Sequence, residues 1–169
     1  MVIDNNIIAD FKEMTAVLEK DYMCILNQLF NKIVILIPIL EDEIINNNLG
    51  SLQYVEGTFS NESGYNIFME LGNDHTANQL SEYDRHVIAV AGESNLAVVS
   101  NDNPVREICR EYEIEVTGTL GVISCVYENK LISFNEMEQC FRFLFSEKSS
   151  CYLSLNLKKI IFNHYSIND

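Results

Sequence analysis

The chain has 169 residues, 47% of them hydrophobic, and carries 25 Asp and Glu against 11 Lys and Arg for a formal net charge of −14. That length suffices for one domain with a sizeable core, and the longest apolar run, residues 33–40, is too short to span a bilayer. The charge weighs against a broadly basic nucleic-acid surface, and neutralising four carboxylates would still leave the balance strongly negative.

Residues 1–4 read as a short strand ending in an acid. A helix is predicted over about 7–30, with Phe11, Met14, Val17 and Leu18 among its apolar positions. The run IVILI at 33–37 suits a strand buried on both faces of a parallel sheet, and Pro38 ends it. Glu41, Asp42 and Glu43 then open a short helix, where the macrodipole favours acids. Between 46 and 78 the pattern is poor, with Gly50, Gly57, Gly64 and Gly72 interrupting polar and aromatic residues, and no element is assigned. Helices at 81–93, 105–112 and 120–127 alternate with strands at 96–100 and 114–116, an order that means βαβ units with right-handed crossovers. Two amphipathic helices are expected at about 135–145 and 152–164, packed on the same single domain. No repeat or linker marks a second one.

The five cysteines, Cys24, Cys109, Cys125, Cys140 and Cys151, form no CxxC pair and read as buried, reduced thiols. With no basic and apolar leader at the N-terminus, a soluble cytoplasmic protein is expected.

The carboxylates carry the chemistry. Asp4 ends one strand and Asp102 another, so a parallel sheet places both on the edge where ligands collect. Each also has a plain structural reading. Asp4 is a turn acid, and Asp102, in Ser-Asn-Asp-Asn-Pro, is a helix N-cap with Pro104 near the first helical position. Asp84 resembles the far member of a capping box with Ser81, yet it shares a helical stripe with Val87, Ile88 and Ala91 that should face the sheet. Glu43 borders the stripe of Leu40, Ile44 and Asn47. Carboxylates leaning toward a core need a partner, because burial of an uncompensated charge costs several kcal/mol or protonates the group. A divalent cation is one partner that serves all four.

Carboxylates without His or Cys select a hard ion, Mg²⁺ or Mn²⁺. Such an ion lowers the pKa of bound water, orients it for in-line attack on a phosphodiester and stabilises the charge that develops. His75, His86 and His164 lack metal-ligand spacing with the cysteines. Gly118-Thr119-Leu120-Gly121 lacks the P-loop lysine and reads as a tight strand-to-helix turn. Ser100, Asn101 and Asn103 either orient water or phosphate or satisfy loop backbone groups. Arg106 either touches substrate phosphate or pairs with an acid such as Glu111.

These residues, in this order, resemble the PIN domain family of metal-dependent nucleases. The resemblance runs through MVIDNNIIADF, IPILEDEI, LSEYDRHVIAVAGE, VVSNDNPVREICREYEIEV and TGTLGVISCVYENKLIS. It implies a three-layer α/β sandwich around a parallel sheet and an acidic cluster binding Mg²⁺ or Mn²⁺, with ligand positions on Asp4, Glu43, Asp84 and Asp102. It further implies RNA cleavage, often as the toxin of a toxin-antitoxin pair, with a homodimer and a basic inhibitor as partners. Two positions depart from the family. Asn5 stands where a small hydroxyl residue frequently follows the first aspartate, and Asn103 and Pro104 stand where many toxins carry another acid. The expectation is a metal-dependent endoribonuclease; the alternative is a non-catalytic module whose acidic surface docks a basic protein.

Overall fold

Short β-branched segments build the centre of the molecule. The computed structural model describes residues 1–42, 49–73 and 79–168. Within them, strands β1 (Val2–Ile3), β2 (Val34–Leu36), β3 (Val55–Gly57), β4 (Val98–Val99) and β5 (Val116–Thr117) form one sheet in the order β3-β2-β1-β4-β5. Every pairing is parallel, with Val2 opposite both Val34 and Val98 and Ile3 opposite Val99. Strands β1, β2 and β4 are buried at every position, as a parallel sheet covered on both faces demands of its continuous apolar runs. The strand order reverses between β1 and β4, so the crevice of this sheet opens just beyond Ile3 and Val99.

The helices among the described residues are α1 (Asn5–Val17), α2 (Tyr22–Leu29), α3 (Ile37–Asp42), α4 (Glu62–Asn73), α5 (Glu82–Ser94), α6 (Asn103–Glu111), α7 (Thr119–Glu128), α8 (Phe134–Leu144) and α9 (Leu155–His164). Helices α1, α2, α7 and α8 pack on one another, as do α4, α5 and α6, giving a three-layer α/β sandwich. None is long and apolar enough to cross a membrane. The C-terminal pair is fastened by aromatic contacts: Phe162 of α9 is buried against Phe145, and Tyr165 meets both Phe141 and Tyr127.

Four expectations need correction. The long helix at 7–30 is two helices, because Glu19 takes a left-handed φ of 55° and Asp21 then caps α2, its carboxylate accepting from the Cys24 amide at 2.9 Å. The short helix after β2 starts at Ile37 with Pro38 in its first turn, so Glu41 and Asp42 stand at its far end rather than opening it. The unassigned stretch contains β3 and α4; β3 was hidden because it is a short edge strand exposed at Val55 and Glu56. Its Gly57 is dictated by close approach, since a Cβ there would stand 2.3 Å from Val34 Cγ1. Of the cysteines, all free, only Cys109 and Cys140 are buried and Cys125 is exposed.

Candidate metal centre

Asp4 follows β1 directly, and its amide donates to the Val99 carbonyl of β4 at 3.0 Å, so the sheet itself fixes where this residue leaves the edge. Its side chain, only 6% exposed, caps α1 by accepting from the Asn5 amide at 2.7 Å on Oδ1. Oδ2 accepts from the Ser100 hydroxyl at 2.6 Å and from Asn6 Nδ2 at 2.7 Å. Asp102 is the N-cap residue of α6, with Pro104 in the first turn, but its side chain makes no capping hydrogen bond. That carboxylate is left to the crevice, where its Oδ2 accepts from the same Asn6 Nδ2 at 3.2 Å.

Asp84 satisfies both sequence readings at once. It closes a capping box at the start of α5, with Oδ2 accepting from the Ser81 amide at 2.7 Å and its own amide donating to Ser81 Oγ at 3.1 Å. It also lies on the stripe of Val87, Ile88 and Ala91, all fully buried against the sheet. The stripe carries the carboxylate to the other two acids. One oxygen from each of Asp4, Asp84 and Asp102 lies within 4.8 Å of the others. Glu43, the fourth expected ligand, lies outside the described residues.

The electrostatics of this cluster ask for a cation. Burial pushes the Asp4 carboxyl up to about 6, with the Asp84 and Asp102 charges adding to the rise and the Ser100 hydroxyl opposing it. Asp102 is raised as well, by burial and then by Asp84. Among the described residues the ion pairs are Lys20 with Glu136 and Arg142 with Glu138, so no described basic side chain neutralises the three acids. Oδ1 of Asp84 and Oδ1 of Asp102 accept no hydrogen bond from the described residues and remain available as hard oxygen ligands. A donor set of carboxylates alone fits Mg²⁺ or Mn²⁺ and none of the soft metals.

The surrounding polar residues were only partly foreseen. Ser100, fully buried, supplies the hydroxyl that Asn5 does not, and its Oγ also accepts from the Asp102 amide at 3.2 Å. Asn6 was missed; one Nδ2 group bridges Asp4 and Asp102, and its Oδ1 accepts from the Asn101 amide at 3.2 Å. The only sequence signal for it is an amide two residues after a strand-end acid. Asn101 serves the loop: its Nδ2 donates to Asp10 Oδ2 at 2.7 Å and to Thr119 Oγ1 at 2.9 Å. Asp10, a second buried aspartate, was also missed because it sits inside a predicted helix with no local marker. Arg106 forms no ion pair with Glu111 and instead donates to the Ser100 carbonyl at 3.2 Å.

A family model, DUF3368, described as a PIN domain, matches residues 2–164 of the chain. No curated protein and no solved structure gives a significant match.

Proposed function

The chain belongs to the PIN-domain family, a family of nucleases, and we propose that it is an endoribonuclease using Mg²⁺ or Mn²⁺ held by Asp4, Asp84 and Asp102. The observation that carries this reading is the convergence of three carboxylate oxygens within 4.8 Å at the switch point of the sheet, with no basic side chain among the described residues paired to them. Glu43, on the strength of the sequence, completes the ligand set or positions the attacking water.

The chain's own residues prepare the centre. The Asn5 amide, Asn6 and Ser100 lock the Asp4 carboxylate in one orientation before any ligand arrives. Because Asp4 titrates near 6, it is mostly ionised at neutral pH and ready to bind a cation. Asn6 holds Asp102 at a fixed spacing from Asp4 by donating to both. When bound, a hard divalent ion activates water and offsets the charge that grows on the phosphoryl oxygens during hydrolysis.

A toxin-like role follows the same reading, with a basic protein segment entering the acidic centre as inhibitor and a homodimer as the assembled form. The net charge of −14 favours the alternative, a non-catalytic module that docks a basic protein. One experiment separates them. Purified protein is incubated with total RNA and Mn²⁺, with and without chelator, and cut ends are mapped; Asp4→Asn and Asp102→Asn are run beside it with circular dichroism to check folding. Cleavage that needs metal and both aspartates supports hydrolysis. A folded protein that neither cuts RNA nor gains thermal stability from Mn²⁺ is the docking module, since binding to the native state alone must raise stability.

A further inference from the structure

Next to the acid cluster, across the Ser100–Asn101 turn, lies a cavity of about 510 Å³ between α6, the start of α7 and the chain leading into α9. Arg106 and Arg110, one helical turn apart on α6, both line it, as do Gly118, Gly121, Tyr152 and Ser154. No Asp or Glu does, in a chain with 25 of them. Neither arginine makes an ion pair among the described residues. Both arginines therefore line one pocket with no acid paired to them among the described residues, and Arg106 is held below its ordinary value by burial and by Arg110.

The start of α7 adds two donors. Its N-cap is Gly118, which offers no side-chain cap. Thr119 spends its amide on Asn101 Oδ1 at 3.0 Å, whereas the amides of Leu120 and Gly121 have no acceptor among the described residues. A Cβ at Gly118 would stand 2.6 Å from Asn101 Oδ1 and 3.1 Å from Arg106 Nη1, so only glycine leaves this helix end in touch with the arginine. Two cations with no counter-ion and two helix N–H groups with no acceptor among the described residues line one cavity, an arrangement suited to an anion with several oxygens. At its rim Tyr152 is 99% exposed, so its ring is open to a ligand seated in the cavity.

We propose that this cavity is the subsite that seats an RNA backbone phosphate beside the cleavage centre, with Arg106, Arg110 and the α7 N-terminus on the phosphate and Tyr152 as a stacking platform for the adjoining base. The inference rests on the endoribonuclease reading for what the phosphate belongs to. Continuity with the centre is direct: Arg106 donates to the carbonyl of Ser100, whose hydroxyl donates to Asp4. The subsite also answers the objection raised by the charge, because an acidic protein can hold a polyanion if its few cations are concentrated where the strand must pass.

The test uses a fluorescein-labelled single-stranded RNA oligonucleotide bound to the Asp102→Asn protein, so that binding is read without cleavage. Adding Arg110→Ala should weaken binding about tenfold and reduce the slope of log K against log salt by about 0.7, the share of one phosphate contact on a single strand. Adding Tyr152→Ala should weaken binding about tenfold with the slope unchanged, because stacking releases no counter-ion. Arg110→Lys should restore the slope. In the active protein both alanine variants should raise KM for RNA rather than lower kcat. If RNA is cut by the unmodified protein but Arg110→Ala and Tyr152→Ala bind it normally, the subsite is overturned and the hydrolytic reading stands. If the unmodified protein cuts nothing but binding still depends on Arg110 with the stated slope, the subsite stands and hydrolysis falls. Arg110-dependent binding of polyglutamate in place of RNA overturns the subsite and gives the cavity to an acidic protein.

Discussion

Helix α1 carries two buried aspartates, and they have been solved in opposite ways. Asp4 at its start is 6% exposed and Asp10 in its second turn is 2% exposed, and burial raises both carboxyls above their ordinary value. Asp10 is surrounded by neutral donors: Thr119 Oγ1 at 2.5 Å and Asn101 Nδ2 at 2.7 Å both bond its Oδ2, with Cys151 alongside. That network ties α1 to α7, and the one charge acting on Asp10, that of Glu13, ranks below each of its hydrogen bonds. Asp4 also has neutral donors, but Asp84 and Asp102 crowd it, and among the described residues no basic side chain offsets the excess negative charge. A buried carboxylate is therefore not by itself a site; what marks the proposed metal centre is an electrostatic deficit that no described side chain fills.

The sharpest way to break this contrast is to exchange the fates of the two residues. Asp4→Asn should cut metal-dependent RNA cleavage by about 10³-fold, the loss expected when a ligand to an essential ion is removed, and leave the protein at least as stable as before. Asp10→Ala should do the reverse. It strands the Thr119 hydroxyl and the Asn101 amide in a buried place, so unfolding free energy should fall by about 2 kcal/mol and Tm by roughly 6 °C, with kcat per folded molecule kept within a few-fold. Cleavage lost in Asp10→Ala at full folding would make Asp10 part of the chemistry and end the comparison.

Next in size is the pH dependence of stability without metal. Asp4 titrates near 6 in the folded chain against 3.8 for an ordinary aspartate, so the native state holds its proton more tightly than the unfolded one. Its contribution is thus fully present below about pH 4 and lost as pH rises through about 6, a change on the order of 3 kcal/mol. In chelator, the urea midpoint should fall between pH 4.5 and pH 7, and Asp4→Asn should flatten most of that fall. The raised carboxyls of Asp10 and Asp102 push in the same direction and leave a remainder. Added Mn²⁺ should reverse the trend, since the ion binds the deprotonated form and gains grip as pH rises. A midpoint that climbs with pH in chelator would remove the argument that the cluster is short of positive charge.

How much of this was readable in advance depends on how local each signal is. The strand-end positions of Asp4 and Asp102 follow from apolar runs that stop at an acid, and the stripe of Val87, Ile88 and Ala91 beneath Asp84 has helical spacing; both patterns fit in a dozen residues and both led to the cluster. Asp102 also shows the limit of a local rule. Ser-Asn-Asp-Asn-Pro does make it the N-cap residue, yet its carboxylate leaves the capping bond unmade and faces the crevice. Asn6 and Asp10 were not found this way, because apart from the bond from Asn6 to Asp4 two residues before it their partners lie more than 90 positions off, at Ser100, Asn101, Asp102 and Thr119. The break after α1 was hidden for another reason: Glu19-Lys20-Asp21 contains neither Gly nor Pro, and the apolar period runs on past it. The edge strand β3 shows no alternation because most of it faces solvent.

The smallest expected effect concerns Ser100, on the Asp4 side of the contrast. Ser100 Oγ donates to Asp4 at 2.6 Å and accepts from Asn6 Nδ2 at 3.3 Å and the Asp102 amide at 3.2 Å, so its hydroxyl is fully used inside the centre. Its bond to Asp4 favours the ionised carboxylate and is the strongest force working against burial there. Ser100→Ala removes that help without removing a charge or a ligand. Asp4 should then ionise at higher pH, and the acid limb of kcat/KM at limiting Mn²⁺ should move up by about one unit or less, with the plateau at high pH preserved. A plateau that collapses instead would mean that the hydroxyl touches the reacting groups. A limb that stays in place would mean that the proton lost as activity appears belongs to a residue other than Asp4.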